Sequence, residues 1–231
     1  MKYKAIIFDM DGTIIDTEHI WRQARTDLIT SRGVTLTPEL EHELEIRTHG
    51  IALNQSCAII KELTLLSDEI HALVAEKSKR ACELYATHVR FINGFLDFHK
   101  KVCDLNLKIG LATNADDQTV QVTNERLNLQ ALFGTHMYNI TSVNFVGKPH
   151  PAIYLHAAQQ LGVDPQDCIA IEDSAGGIKA ARAAGMFCIG INTSKRPELL
   201  QEANMIINGY HEIDLDNLLQ EVPRYETLHT R

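Results

Sequence analysis

Two carboxylates two residues apart, Asp9 and Asp11, close the apolar run Lys4-Ala5-Ile6-Ile7-Phe8 and are followed by Gly12. In extended chain the two side chains point the same way, and Gly12 lets the backbone turn sharply behind them. Carboxylates this close suit divided labour, one ionised as a nucleophile and its neighbour protonated as an acid. A strand that ends in an ordinary Asp/Gly turn has the same spelling, so the pair needs company to mean chemistry. A calcium loop is excluded, because it needs a ligand, a glycine and a glutamate where this chain has Thr13, Ile14 and Ile20.

Company comes from three distant pieces. Thr113-Asn114 follows the apolar run Leu107 to Ala112, and Glu172-Asp173 follows Cys168-Ile169-Ala170-Ile171. Lys148-Pro149 is the third. A hydroxyl and an amide suit a phosphoryl oxygen, and a lysine balances a carboxylate nucleophile and the charge that develops in phosphoryl transfer. Taken singly, Thr113-Asn114 also reads as a helix cap and Lys148 as a solvated loop residue. Ser174 and Gly176-Gly177 read as a helix start close to the site rather than as substrate contacts.

The elements that must gather these residues alternate. Strand-like runs at 4–8, 107–112, 168–171, 187–191 and 205–207 are interleaved with helical segments near 116–127, 151–161 and 175–184, the last stopped by Gly185. Such alternation predicts a doubly wound, parallel, Rossmann-like α/β sheet with right-handed crossovers. The carboxyl ends of parallel strands face one crevice, which would bring Asp9, Thr113 and Glu172-Asp173 together. Residues 16–87 instead have helical character throughout. Pro38 fits a first turn capped by Thr37, Thr48-His49-Gly50 is a break, and Ser67-Asp68-Glu69 a further helix start. The expected organisation is therefore a core of residues 1–15 and 88–220, an inserted helical unit of residues 16–87, and an aperiodic tail, 221–231.

The bulk numbers narrow the function class. A 45% hydrophobic and 23% charged composition excludes a disordered or fibrous chain. A net charge of −8 argues against nucleic acid as a partner. No apolar stretch approaches the roughly 20 residues of a membrane span, and the N-terminal run is too short for a signal peptide. Cys57, Cys82, Cys103, Cys168 and Cys188 are odd in number, scattered and without a C-x-x-C pair, as expected of reduced thiols in a cytoplasmic protein. The histidines show no zinc spacing. A monomer or weak homodimer is expected.

Asp9 to Thr13, Ala112-Thr113-Asn114, Gly147 to Pro151 and Ile171 to Ser174 together resemble the four motifs of the haloacid dehalogenase (HAD) superfamily, in its sugar-phosphatase and β-phosphoglucomutase-like branch. The likeness spans about residues 4–215 and includes the position of the helical insert, which resembles that branch's small α-helical cap. It implies that Asp9 attacks phosphorus and forms an aspartyl phosphate, and that Asp11 protonates the leaving oxygen and then activates water. It implies Thr113, Asn114 and Lys148 on the phosphoryl group. A phosphate dianion beside Asp9 calls for a hard cation, Mg²⁺, on Asp9 and Asp173, with Glu172 acting directly or through water and Asp11 through its backbone carbonyl. The small phosphorylated substrate would be selected by the insert, with Arg47 and His49 at its break as contact candidates. Trp21 is placed at the mouth of the site, in core packing or at the hinge.

Two departures matter. Mutase-like relatives tend to carry a histidine near Trp21 and an arginine soon after Gly50, and this chain has neither, which favours a hydrolase. Ile92-Asn93-Gly94 replaces a common Pro-Gly at the return to the core. The sequence reading is a Mg²⁺-dependent phosphatase of a sugar or polyol phosphate, with a phosphosugar mutase as the alternative. A dehalogenase would leave Asp11 with little to do. A receiver module would be about half as long and lack the insert, and an inert binding module would not need the complete set of groups.

Overall fold

A computed structural model describes residues 2–48, 51 and 53–220. The tail 221–231 lies outside them, as do His49 and Gly50. In chain order the elements are β1 (Ala5–Phe8), β2 (Ile15–Asp16), α1 (Glu18–Thr30), α2 (Pro38–Thr48), α3 (Leu53–Thr64), α4 (Ile70–His88), β3 (Arg90–Phe91), α5 (Phe95–Asp104) and β4 (Lys108–Ala112). Then come α6 (Asp117–Leu127), α7 (Leu129–Phe133), β5 (Met137–Tyr138), α8 (Ala152–Leu161), β6 (Cys168–Glu172), α9 (Ala175–Ala183), β7 (Phe187–Ile191), β8 (Met205–Ile207) and α10 (Leu215–Leu219).

Six strands form one parallel sheet in the order β5-β4-β1-β6-β7-β8. The chain winds outward from β1 through β4 to β5, then crosses back to β6 on the other side of β1. This is the doubly wound α/β sheet that the alternation predicts, and β1 lies at its switch point. Its strands read as continuous apolar runs because both faces are covered. Ile6 and Phe8 pack on one face with Leu111, Ile171 and the α5 residues Phe95 and Phe98. Ala5 and Ile7 pack on the other with Ala170, Cys188 and the α8 residues Ile153 and Tyr154. Phe8 meets Phe95, Phe98 and Phe133 edge-on at 5.6, 6.1 and 6.1 Å, which fixes the strand that carries Asp9.

Helices α1–α4 enclose a small core of their own, built from Leu28, Ile29, Leu44, Cys57, Ile60 and Leu73. They also complete the main one: Ile20 and Ala24 of α1 and Ala81 and Tyr85 of α4 belong to the cluster beneath the sheet. Thr37 caps α2 by accepting the Leu40 amide at 3.3 Å, with Pro38 first in the helix. Helix α4 starts where Ser67-Asp68-Glu69 predicts, but without a side-chain cap. Asp68 instead takes the Arg32 guanidinium at 2.8 and 3.0 Å. Both chain crossings into the insert, which read from sequence without a strand, pair as the antiparallel ladder β2–β3. Across the seam between insert and core, Cys82 Sγ of α4 lies 3.8 Å from Thr119 Oγ1 of α6. All five cysteines are free thiols. Among the described residues no helix is long and apolar enough to cross a membrane.

Candidate active site

Strands β4, β1 and β6 are neighbours, so their carboxyl ends deliver Thr113, Asp9 and Glu172 side by side. The ladder runs one residue past each strand: Asp9 N–H donates to Ile171 O at 3.0 Å, and Thr113 N–H to Tyr138 O at 3.0 Å. Above these ends opens a cleft of ≈ 1090 Å³ lined by Asp9, Asp11, Thr113, Asn114, Lys148 and Asp173, with the insert forming its other wall.

Lys148 organises the floor. Its Nζ donates to Asp9 Oδ1 at 2.5 Å, to Glu172 Oε1 at 2.6 Å and to Ala112 O at 2.9 Å. It stands 4.9 Å over the Tyr154 ring, whose hydroxyl donates to the same Glu172 oxygen at 2.7 Å. The other Glu172 oxygen accepts from the amides of Asp173 and Ser174 and from Ser174 Oγ, at 3.2, 3.4 and 3.1 Å. Glu172 is fully buried and its acceptor sites are well occupied, so it is first of all the anchor of Lys148. Asn114 holds the loop itself, accepting the Lys148 amide at 2.9 Å. Thr113, also buried, accepts the Ala115 amide at 3.0 Å. Ser174 begins α9 as its cap, accepting the Gly177 amide at 3.1 Å.

Asp11 is held from the insert. The Tyr85 hydroxyl of α4 donates a hydrogen bond to its Oδ1. Burial pushes the Asp11 carboxyl above its ordinary range, while hydrogen bonds to Tyr85 and Thr17 pull it back down. Asp9 is pushed up to about 7, first by burial and then by the Glu172 charge, against the pull of Lys148. Asp173 is raised well above its ordinary range by burial and by Asp9. Burial alone would lower Lys148, but the two carboxylates beside it outweigh that and hold it protonated.

Asp9, Glu172 and Asp173 each offer an oxygen, all within 4.8 Å of one another. Three carboxylates facing one lysine in a buried site leave negative charge uncompensated. A hard-oxygen donor set of this kind fits Mg²⁺, which needs only one or two carboxylates and keeps several waters. The Asp11 side chain, committed to Tyr85, is not among the converging three.

The insert residues fall differently. His49 lies outside the described residues. Arg47, expected at the substrate, is not brought into the cleft. It sits at the end of α2 and turns to Glu62 of α3 at 3.1 Å and Glu43 at 3.4 Å. Trp21 both lines the cleft and packs edge-on against Tyr85, ring centroids 6.2 Å apart. Sequence reasoning missed Tyr85 and Tyr154, and also Lys77 of α4, which lines the cleft. Each sits inside a helix at no telling spacing, and nothing local marks it as facing the site.

The sequence profile of the family described as "Hydrolase: haloacid dehalogenase-like hydrolase" matches residues 3–185. Hexitol phosphatase B of Escherichia coli O157:H7 is 30% identical over 221 residues, 93% of this chain and 96% of that protein. β-Phosphoglucomutase of Bacillus subtilis (strain 168) is 27% identical over 230 residues, 96% of each chain. Among solved structures, a HAD hydrolase of family IA, variant 3, from Entamoeba histolytica HM-1:IMSS has a TM-score of 0.79 at 26% identity, covering 93% of this chain and 97% of that one.

Proposed function

The chain belongs to the haloacid dehalogenase-like hydrolases, and from that premise we propose a Mg²⁺-dependent phosphatase of a small sugar or polyol phosphate. The observation that carries the reading is Lys148 locked between Asp9 and Glu172 at the end of the central strand. A lysine so placed keeps a carboxylate aimed and screened for attack on an anionic phosphate.

In the proposed reaction an Asp9 oxygen attacks phosphorus in line. The P–O bond to the leaving alcohol breaks, and Asp11 gives that oxygen its proton. Water then attacks the aspartyl phosphate, Asp11 takes the water's proton, and the bond from Asp9 to phosphorus breaks to release inorganic phosphate. Thr113 and Asn114 would hold phosphoryl oxygens and Lys148 would balance their charge. Asp9 and Asp173 would hold the metal directly, and Glu172 through water because Lys148 and Tyr154 already occupy one of its oxygens. Bound there, Mg²⁺ would neutralise the phosphate beside Asp9. The insert would act as a cap that excludes water from the cleft. The hexitol phosphatase likeness supports the substrate class. The likeness to a β-phosphoglucomutase supports a second reading, in which the phosphoryl group returns to a sugar instead of being released.

The test is phosphate release from a panel of sugar, polyol, glycolate and nucleotide monophosphates, with and without Mg²⁺, and with Asp9→Asn in parallel. Release should require Mg²⁺, stop on chelation, and fall by about 10³-fold or more in Asp9→Asn. A folded, Mg²⁺-binding protein that releases no phosphate from any member would defeat the phosphatase reading and leave the mutase.

A further inference from the structure

Two cations of the insert are buried among the described residues, Arg25, which pairs with Glu45, and Lys77. Lys77 is 4% exposed, projects from α4 and donates from Nζ to Ser56 Oγ of α3 at 2.7 Å. The ammonium lies 5.8 Å from the centre of the Trp21 ring, on the wall of the same cleft that holds Asp9 and Asp11. Burial draws it down to about 8, the Arg25 charge adds to that and the Cys57 thiol works against it, so it is still largely protonated at neutral pH. Its hydrogen-bond partner among the described residues is the neutral Ser56, not a carboxylate. The cleft's remaining acids are engaged elsewhere. Asp16 takes Arg90 at 2.7 Å, Glu18 takes Arg22 at 2.9 Å, Glu45 takes Arg25 at 2.6 Å, and Asp116 accepts the Thr119 amide at 2.8 Å.

A buried ammonium without a counter-charge is costly, and a chain that keeps one facing a ligand cleft has a use for it. The wall also has a direction. It runs from Asp11 to Tyr85 by a hydrogen bond, from Tyr85 to Trp21 by ring contact, and from Trp21 to Lys77. A substrate with its phosphate on Asp9 and its leaving oxygen at Asp11 would lay its carbon chain along Trp21 and reach Lys77 with its far end. Ser56, whose oxygen accepts from Lys77, carries a hydroxyl proton that could be donated to that end.

We propose that Lys77 and Ser56 form a subsite for an anionic oxygen group, a carboxylate or a second phosphate, at the end of the substrate remote from the scissile phosphate. The inference rests on the phosphatase reading and narrows its substrates from neutral polyol phosphates to phosphorylated sugar acids or bisphosphates.

The test is kcat/KM on a matched series: glucitol 6-phosphate with a neutral far end, 6-phosphogluconate with a carboxylate, and glucitol 1,6-bisphosphate with a phosphate. In the wild type, at least one anionic member should exceed glucitol 6-phosphate by about tenfold, the scale of one charge-assisted hydrogen bond. Which member does so distinguishes the two anions. The ratio of anionic to neutral substrate cancels any common loss of folded enzyme. It should fall to about one in Lys77→Met and survive in Lys77→Arg. A wild-type ratio of one or below, or a preference that persists in Lys77→Met, overturns the subsite and leaves the phosphatase standing. So does failure on the whole series by a protein that still hydrolyses p-nitrophenyl phosphate. Failure on p-nitrophenyl phosphate as well removes both readings.

Discussion

Lys77 and Lys148 are both buried lysines, buried on opposite terms. Lys148 has two carboxylates within 2.6 Å, and its ammonium is stabilised. Lys77 has a hydroxyl and an aromatic face, and its ammonium is penalised. The sign of the effect on stability follows. The Lys77 value falls from an ordinary 10.5 to about 8 in the folded chain. Below pH 8 both folded and unfolded chains hold the proton, and the folded one bears the whole desolvation cost. Between about pH 8 and 10.5 the unfolded chain binds more protons, so the Lys77 contribution makes stability rise with pH. Lys77→Met should therefore be more stable than wild type at pH 7, by an amount up to about 3 kcal/mol, and the advantage should shrink by pH 10. Urea unfolding of both proteins at the two pH values checks this, and a pH-independent difference would contradict it. Asp9, Thr113 and Asp173 were legible in the sequence because each follows an apolar strand. Lys77 was not, because a lysine in a helix looks the same whether it faces solvent or the cleft that holds Asp9.

At the scale of elements, the site depends on how closely α9 approaches the end of β6. Gly177, in the first turn of α9, makes room for Glu172: a Cβ there would lie 1.9 Å from the Glu172 carboxylate, whereas one on Gly176 would meet nothing within 4 Å. The carboxylate cannot simply swing aside, since Lys148, Tyr154, Ser174 and two amides pin it. Gly177→Ala should cost about 1–3 kcal/mol of stability, as expected when a buried charged network is displaced, and lower kcat by about 10²-fold as Lys148 loses its anchor. Gly176→Ala should change stability by no more than about 0.5 kcal/mol. Thermal unfolding and steady-state kinetics of the two variants separate the close approach from a general intolerance of alanine in that turn. Long buried strands and amphipathic helices were readable from pattern. The ladder β2–β3 was not, because two-residue strands carry no periodicity and form only when the chain returns from the insert. The direction of Arg47 escaped for a related reason, being set by Glu62 on a different helix.

For the whole molecule, the insert is a participant in the main core rather than an appendage. Ile20, Ala24, Ala81 and Tyr85 pack into the cluster beneath the sheet, while Leu28, Leu44 and Ile60 form the insert's own centre on the same helices. Shared helices predict shared unfolding. Trp21, the sole tryptophan, packs against the main cluster from within the insert and reports on their junction. Its fluorescence and the far-UV circular dichroism of the whole chain should follow one urea transition with a common midpoint. Two separated midpoints would mean that the insert melts alone. The contact of Cys82 with Thr119 bears on the same junction, because it joins the helix that presents Tyr85 to the helix that leads away from Thr113. A thiol at position 119 would face the native one across the seam and turn it into an oxidisable clasp. Closing the clasp would freeze one posture of the insert over the sheet, and a reductant would set it free again.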